Sequence, residues 1–284
     1  MGILRDRMIR DMQLRRFSGA TQAAYLREVA LLAKHFHQTP ERIDQHMLQD
    51  YILYLLTERQ LASSSVNVAT AALRFFYTVT LDRQDLALAI PPRKTPRHLP
   101  EVLSAVELQR LFDIENLKHR ALLMTTYAAG LRVSEVVRLM VRDIDSHRMM
   151  IRVEAGKGEK DRYTILSQRL LQELRTYWKI YRPLLWLFPG RQPGDSISIR
   201  TTQQVFIKAK TRAAIIKPGG IHLLRHSFAT HILEAGVDLR TIQLLMGHSS
   251  IGSTVRYLQL TRKTLDAAQS PLDLLDLPAV QRFQ

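Results

Sequence analysis

Residues 222–231 read His-Leu-Leu-Arg-His-Ser-Phe-Ala-Thr-His. Leu224, Phe228 and, just beyond this stretch, Ile232 recur at every fourth position, which predicts the buried stripe of a helix. His222 and Arg225 are three residues apart, so both occupy one helical face. The segment therefore predicts a helix that packs through its leucine and phenylalanine side chains and presents an imidazole beside a guanidinium.

Helical periodicity extends through most of the chain. Before residue 90 the predicted helices cover 21–36, a stretch that starts at Thr39-Pro40 and runs through Leu55, and 63–77. Later helices are predicted at 104–112, 117–129, 134–140, 170–181, 202–214, 222–235, 239–246 and 254–260. Ser134 is predicted to cap the helix at 134–140. Alternation at 149–153 resumes at 163–165, which predicts a β-hairpin with a glycine-rich tip.

A proline-rich segment divides the chain. Residues 91–100 hold four prolines, which cannot continue a helix and favour an extended linker. We therefore predict a mainly α protein: a helical domain at 1–90, a basic linker at 91–103, and an α-rich domain with a small β-hairpin or sheet at 104–284. The linker cations could follow a phosphate backbone or could be ordinary solvated charges.

The charge balance points to a polyanionic partner. The 284 residues include 41 Lys and Arg against 26 Asp and Glu, a formal charge of +15. Nucleic acid is favoured over an acidic membrane surface or a merely solvated basic surface. The chain has no cysteine, which excludes disulfides and thiolate metal sites. No apolar run could cross a bilayer, and Met1 to Arg16 does not resemble a secretory signal.

Six side chains, distant in sequence, form a chemically coherent set. Clustered cations suit a site where negative charge develops on phosphorus, and a tyrosine beside them suits covalent attack on that phosphorus. The members of the set are Arg132, Lys157, His222, Arg225, His248 and Tyr257. Lys157 follows Arg132 by 25 residues, and Arg225 follows His222 by 3. His248 then follows Arg225 by 23 residues, and Tyr257 follows His248 by 9.

Each of these residues has a simpler structural explanation when it is considered alone. A single helical tyrosine such as Tyr257 is more often a packed amphipathic side chain. Arg132 and His248 could serve helix ends, and Lys157 could be a solvated turn residue with Lys160 as a rival for its role. His222, His226 and His231 could share a metal, but there is no acidic residue between the first two and no cysteine anywhere.

Order and spacing together resemble the tyrosine recombinases, the phage-integrase and Xer-type family of DNA strand-exchange enzymes. The strings that carry the resemblance are Ala-Ala-Gly-Leu-Arg-Val-Ser-Glu (128–135), Gly-Lys-Gly-Glu-Lys-Asp-Arg (156–162), residues 222–231, Met-Gly-His-Ser-Ser (246–250) and Val-Arg-Tyr (255–257). The similarity covers about residues 104–262. Residues 1–90 resemble the SAM-like core-binding domain of that family more weakly, and no room remains for an arm-site domain, as in simple Xer-like members.

The resemblance implies a role for each residue of the set. Tyr257 would be the nucleophile, and Arg132 with Arg225 would clamp the scissile phosphate. Lys157 would protonate the leaving 5′-oxygen, and His248 would donate to a phosphate oxygen. His222 would accept the tyrosine proton or hold the phosphate. No metal or other cofactor would take part.

The resemblance also implies partners and a setting. These are double-stranded DNA with inverted-repeat half-sites, self-association to a tetramer, and a second recombinase or accessory protein. An apolar tail within 264–284 either packs on its own domain or, as the resemblance implies, docks on a neighbouring protomer. The protein would act on the nucleoid in the cytoplasm, in integration, excision or resolution. A type IB-like topoisomerase and a catalytically idle DNA-binding regulator are the alternatives, and an intact Tyr257 argues against the regulator.

Overall fold

The computed structural model describes residues 2–90, 100–154, 161–247, 250, 252–255 and 257. The chain divides into two compact units, residues 1–98 and 99–284. Within the described residues the structure is mostly helical, with one small antiparallel sheet. The predicted fold class, mainly α with a small sheet in the second half, is confirmed.

Over residues 2–90, which the structure describes, the first unit is built from helices and turns. They are α1 (Gly2–Leu14), α2 (Gly19–Phe36), α3 (Gln45–Thr57), α4 (Ser63–Phe75) and α5 (Gln84–Ala89), with a 3₁₀ turn at Pro40–Arg42 and a π-helical turn at Phe76–Thr80. Ser18 caps α2 by accepting from the amide of Thr21, and Asp44 caps α3 by accepting from that of Met47. The three helices predicted before residue 90 correspond to α2, α3 and α4.

Two helices of the first unit were not predicted. Helix α1 buries only Met8 and Met12 among its 13 residues, so its apolar stripe is too narrow for periodicity to reveal. Helix α5 has only six residues, which is also too short for a periodic pattern. Both contribute to the core of this unit, α1 through its two methionines and α5 through Leu86.

The second unit surrounds a three-stranded sheet with helices. Its helices are α6 (Ala105–Phe112), α7 (Leu117–Ala128), α8 (Val133–Val136), α9 (Gln168–Tyr181), α10 (Ile199–Arg212), α11 (His222–Glu234), α12 (Leu239–Met246) and α13 (Gly252–Val255). The strands are β1 (Ile144–Asp145), β2 (Met150–Val153) and β3 (Arg162–Ile165), antiparallel in the order β1-β2-β3. Val153 pairs with Arg162 at the base of the hairpin, and the tip at 155–160 lies outside the described residues.

One helix start differs from its prediction. Ser134 does not cap a helix that runs to Met140, because it lies inside α8, which begins at Val133 and ends at Val136. The N-cap position belongs to Arg132. The chain then passes through a 3₁₀ turn at Val141–Asp143 into β1. The short helix follows from the apolar side chains of this segment, which pack into two different cores.

The second unit has a central core on which the candidate site is built. One cluster combines α7, the sheet and α9, and a second combines α6, α10 and α11. A third, smaller cluster joins α11 and α12 to Tyr257. No helix among the residues that the structure describes has the length and apolar character needed to span a bilayer.

Candidate active site

A sharp turn after α7 brings Arg132 to the start of α8. Gly130 adopts a left-handed backbone with φ of +61°, and the amide of Leu131 donates back to the carbonyl of Thr126 at 3.0 Å. A side chain on Gly130 would also collide with Phe228, because an added Cβ would lie 2.3 Å from the ring. Glycine at this helix end therefore sets the direction in which the chain leaves the turn towards Arg132.

Arg132 and Glu135 bind each other across the first turn of α8. The backbone amide of Arg132 donates to the carboxylate of Glu135 at 2.7 Å, and its guanidinium donates to the same carboxylate at 2.8 Å. The other terminal nitrogen of Arg132 donates to the backbone carbonyl of Gly247 at 2.9 Å. The Arg132 side chain is held in place but is 28% exposed, so a ligand in solvent can reach it.

Helix α11 contributes Arg225 from its buried side. The two terminal nitrogens of Arg225 donate to the carbonyl of Gly130 at 2.7 Å and to that of Met246 at 2.5 Å, and the carboxylate of Glu135 lies 3.6 Å away. Burial lowers the pKa of Arg225 to about 10, while the negative charge of Glu135 opposes this shift. The guanidinium therefore remains charged at neutral pH.

His222 lies one helical turn before Arg225 and differs from it in charge. Burial lowers the pKa of His222, and the positive charges of Arg225 and Arg132 lower it further. The imidazole is therefore neutral at neutral pH, with one donor and one acceptor nitrogen. The permanent positive charge of this region comes from the arginines.

Glu135 is the carboxylate that the arginines share. Arg162 donates from both terminal nitrogens to the two oxygens of Glu135, each at 2.8 Å. Burial would raise the pKa of Glu135, but the hydrogen bonds and charge of Arg162, helped by the amide of Arg132 and the charge of Arg225, lower that pKa to about 2. Glu135 is therefore ionised at neutral pH.

Tyr257 lies in the same region with its phenol turned inward. Its side chain is 1% exposed and belongs to the buried cluster with Phe228 and Met246. The phenolic oxygen lies 2.9 Å from Nδ1 of His226. The phenol is also close enough to Arg225 to contribute to the pKa of that guanidinium. The structure thus brings Tyr257 to Arg225, although 32 positions separate them in the sequence.

Two residues of the predicted set, Lys157 and His248, lie outside the described residues, as does the rival Lys160. Lys157 and His248 are, however, close in sequence to described residues that belong to the site. Arg162, at the base of the hairpin that contains Lys157, contacts Glu135. Gly247, immediately before His248, accepts from Arg132.

Two of the three histidines of α11 lie next to different phenols. Nδ1 of His226 lies 2.9 Å from the phenolic oxygen of Tyr257, and Nδ1 of His231 lies 2.9 Å from that of Tyr127. Among the described ranges, no three His, Asp or Glu side chains come together as a metal site would require.

Sequence reasoning assigned no catalytic role to Glu135, Arg162 or His226. Glu135 could have been found from its position three residues after Arg132, a spacing at which opposite charges pair on a helix. The contacts of Arg162 and His226 join segments that are 27 and 31 residues apart. Local sequence patterns do not predict contacts between residues that are so far apart in the sequence.

The shared carboxylate predicts acid sensitivity. The pKa of Glu135 falls to about 2 on folding, so the ionised carboxylate stabilises the folded protein. This contribution to the free energy of unfolding is complete above the ordinary pKa of a glutamate and is lost as the pH falls towards 2. We expect Glu135→Gln to lower the free energy of unfolding at neutral pH by roughly 3 kcal/mol. Urea unfolding should show that the variant loses little further stability between about pH 4.5 and pH 2, where the parent protein loses much.

The exposed Glu234 on α11 provides the control for this prediction. Glu234→Gln should leave both the stability at neutral pH and the acid dependence almost unchanged. An acid profile for Glu135→Gln that parallels the parent protein would show that other carboxylates govern the transition.

Comparison with protein families identifies the chain. Residues 101–264 match the phage integrase family, and residues 4–85 match the phage integrase N-terminal SAM-like domain. The chain belongs to the phage integrase family. The predicted resemblance to tyrosine recombinases of the simple, Xer-like kind is confirmed, including the SAM-like first unit.

Individual members of the phage integrase family show how closely the chain matches. The integrase/recombinase y4qK of Sinorhizobium fredii is 48% identical over 278 residues, which cover 97% of this chain and 90% of that protein. The tyrosine recombinase XerA of Thermococcus kodakarensis is 35% identical over 223 residues, which cover 76% and 77% of the two chains. The chain is a site-specific tyrosine recombinase.

Solved structures show the same fold. The Tn1549 transposon integrase, in complex with transposon right end DNA, superposes with a TM-score of 0.71 over 93% of this chain and 97% of that one. Its sequence identity is 16%, so this likeness shows the shared fold.

Proposed function

We propose that this recombinase cuts and rejoins duplex DNA through a covalent 3′-phosphotyrosine at Tyr257. The observation that carries the proposal is the convergence of Arg132, Arg225 and Tyr257 at the end of α12, although they come from three separate segments. A guanidinium pair beside a phenol is the chemistry that attack on a phosphodiester requires.

The cleavage step forms one bond and breaks one. The Tyr257 oxygen attacks the scissile phosphorus, the bond from phosphorus to the 5′-oxygen breaks, and the 3′-phosphate remains on the tyrosine. Arg132 and Arg225 stabilise the negative charge on the non-bridging oxygens, with His248 as a further donor. Lys157 gives a proton to the departing 5′-oxygen.

The phenolic proton needs an acceptor. Nδ1 of His226 lies 2.9 Å from the phenolic oxygen, which favours His226 as the first acceptor of this proton. His222, neutral and next to Arg225, then serves to hold the phosphate. The resemblance implied both roles for His222. In this proposal His226 accepts the tyrosine proton and His222 holds the phosphate.

Rejoining reverses these steps with a different strand. A 5′-hydroxyl attacks the phosphotyrosine, the phenolate leaves and recovers its proton, and the phosphodiester forms again. The number of phosphoester bonds is unchanged, so the reaction needs no ATP. The charge for phosphate binding comes from arginine and lysine side chains, so the proposed chemistry uses no metal.

The division of the chain suggests how DNA is held. We propose that residues 1–90 form the core DNA-binding domain, 91–103 a basic linker, and 104–284 the catalytic domain, whose C-terminal tail docks on another protomer. Between residues 104 and 284, Lys and Arg exceed Asp and Glu by 11, which supports this part as the main phosphate-binding part. We also propose that the protein acts as a tetramer on two inverted half-sites. It would act on the nucleoid in the cytoplasm, in integration, excision or resolution.

Trapping the covalent intermediate tests this function. We expect a nicked duplex containing the paired half-sites to give a protein–DNA adduct that is stable in denaturant and sensitive to protease. The reaction should proceed at an unchanged rate in excess EDTA, since no step uses a metal. Loss of the adduct on chelation, with recovery on adding magnesium, would contradict the proposed chemistry.

A further inference from the structure

Three successive carbonyls end helix α12, and each accepts from a different arginine. Arg162 reaches Leu245 at 2.9 Å, and Arg132 reaches Gly247 at 2.9 Å. The carbonyl between them, of Met246, accepts from Arg225 at 2.5 Å. The last carbonyls of a helix lack partners within the helix and carry partial negative charge. Strand β3, the turn before α8 and helix α11 are therefore all joined to α12 immediately before His248.

Arg162 differs from the other two arginines in how its nitrogens are used. Its Nε donates to the carbonyl of Leu245, and its two terminal nitrogens donate to the two oxygens of Glu135. The side chain is 11% exposed, between 28% for Arg132 and 5% for Arg225, so exposure alone does not separate the three arginines. All three nitrogens of the Arg162 guanidinium donate inside the protein, and two of them are committed to a carboxylate, which does not suit a residue that binds the phosphate itself.

The charge of Arg162 matters to its neighbours. Glu135 also contacts Arg132 at 2.8 Å and lies 3.6 Å from Arg225. If Arg162 were absent, this carboxylate would be offset only by the two arginines that are needed for the phosphate. Pairing Glu135 with Arg162 leaves the positive charge of Arg132 and Arg225 available to a DNA oxygen.

The position of Arg162 gives it a second effect. It is the first residue of β3 and pairs with Val153 at the base of the hairpin that carries Lys157. Its side chain also packs tightly against the end of α12, since a Cβ added to Gly247 would lie 2.8 Å from Cδ of Arg162. One side chain therefore fixes the base of the hairpin to the segment that precedes His248.

We propose that Arg162 is a positioning residue of the recombinase site. It holds Glu135 and the end of α12 so that Arg132 and Arg225 meet the scissile phosphate, and it fixes the base of the β2–β3 hairpin to α12. It touches no DNA. This inference rests on the proposed function, since it concerns the same cleavage reaction.

Two substitutions at Arg162 test the inference by single-turnover cleavage and duplex binding. An ammonium donates from a single nitrogen and cannot span the Leu245 carbonyl and both Glu135 oxygens as the planar guanidinium does, so Arg162→Lys should slow cleavage by about 100-fold, nearly as much as Arg162→Met. Duplex affinity should stay within about threefold, because the phosphate contacts are retained. The control is Arg152→Met on β2, whose exposed pair with Asp161 should not matter to cleavage.

A neutral substrate separates positioning from phosphate contact. A methylphosphonate at the scissile position lacks one charged oxygen, so it should partly restore cleavage by Arg132→Met, which has lost a clamp residue. It should restore cleavage by Arg162→Met much less, because that variant keeps both clamp arginines and has lost their placement as well as part of their available charge. Recovery of the Arg162 variant as complete as that of Arg132→Met, or an Arg162→Lys variant as fast as the parent protein, would overturn the inference.

Two further variants address folding and coupling. Gly247→Ala pushes against Arg162 and also strains the left-handed backbone at Gly247, where φ is +61°, so it should slow cleavage while duplex binding persists. The losses from Arg162→Met and Glu135→Gln should not be additive, because both break the same pair. Additive losses would show that Arg162 and Glu135 act independently, and loss of duplex binding together with cleavage would show that Arg162 supports the fold and not the site; either result would contradict the inference.

The wild-type adduct separates this inference from the proposed function. If the parent protein forms no adduct, the proposed function fails and the Arg162 inference fails with it. If the parent protein forms the adduct and the Arg162 variants cleave equally fast, only the inference fails.

Discussion

Replacing Tyr257 by phenylalanine will abolish the covalent DNA adduct and leave duplex binding nearly unchanged. Only the phenolic oxygen is removed, and the phosphate contacts come from other residues. The lost hydrogen bond to His226 should cost about 1 kcal/mol of stability, which is too little to unfold the protein. Trapping on a nicked duplex and a gel-shift titration measure the two effects.

The control for Tyr257→Phe is the same change at Tyr163. This tyrosine on β3 is 54% exposed and lies in the same unit. Tyr163→Phe should form the adduct at the parental rate. An adduct that persists in Tyr257→Phe would place the nucleophile elsewhere in the chain.

Replacing Arg225 by lysine should give the second largest effect. The guanidinium spans the carbonyls of Gly130 and Met246, and an ammonium cannot reach both in the same geometry. We expect single-turnover cleavage to fall by about 10² to 10³, the cost of removing one donor to a developing oxyanion. The carbonyl left without a donor should lower stability by about 1–3 kcal/mol.

Arg240 supplies the comparison for Arg225→Lys. It is an exposed arginine on α12 that donates to Gln243 on its own helix. Arg240→Lys should leave both cleavage and the melting temperature close to those of the parent protein. Parental cleavage by Arg225→Lys would show that a positive charge at this position is sufficient and that its directed hydrogen bonds are not needed.

The sequence was most informative where the signal was local. Leu224 and Phe228 are buried on α11 as their spacing predicted, and the hairpin alternation of 149–165 corresponds to β2 and β3. Gly130 ends α7 in the left-handed conformation expected of a glycine at that position. These features depend on neighbours within a few residues, so a single sequence contains them.

The sequence was least informative about contacts between segments. His222 and His226 lie one turn apart on α11, and periodicity cannot tell which of them meets the phenol. The structure places His226 there because the chain turns back at Gly247 and returns Tyr257 to the buried side of α11. The pairing of Glu135 with Arg162 likewise depends on how β3 packs against α12, which no local pattern encodes.

The burial of Tyr257 also bears on timing. A phosphate group is larger than a water molecule, so it cannot reach a phenol that is 1% exposed until a movement uncovers that phenol. The observed rate of strand cutting is then the chemical rate multiplied by the fraction of molecules that have opened. Every 1.4 kcal/mol required for opening slows the first cut about tenfold, however well the cations are placed. Measured cutting rates would then report the cost of this movement as well as the chemistry.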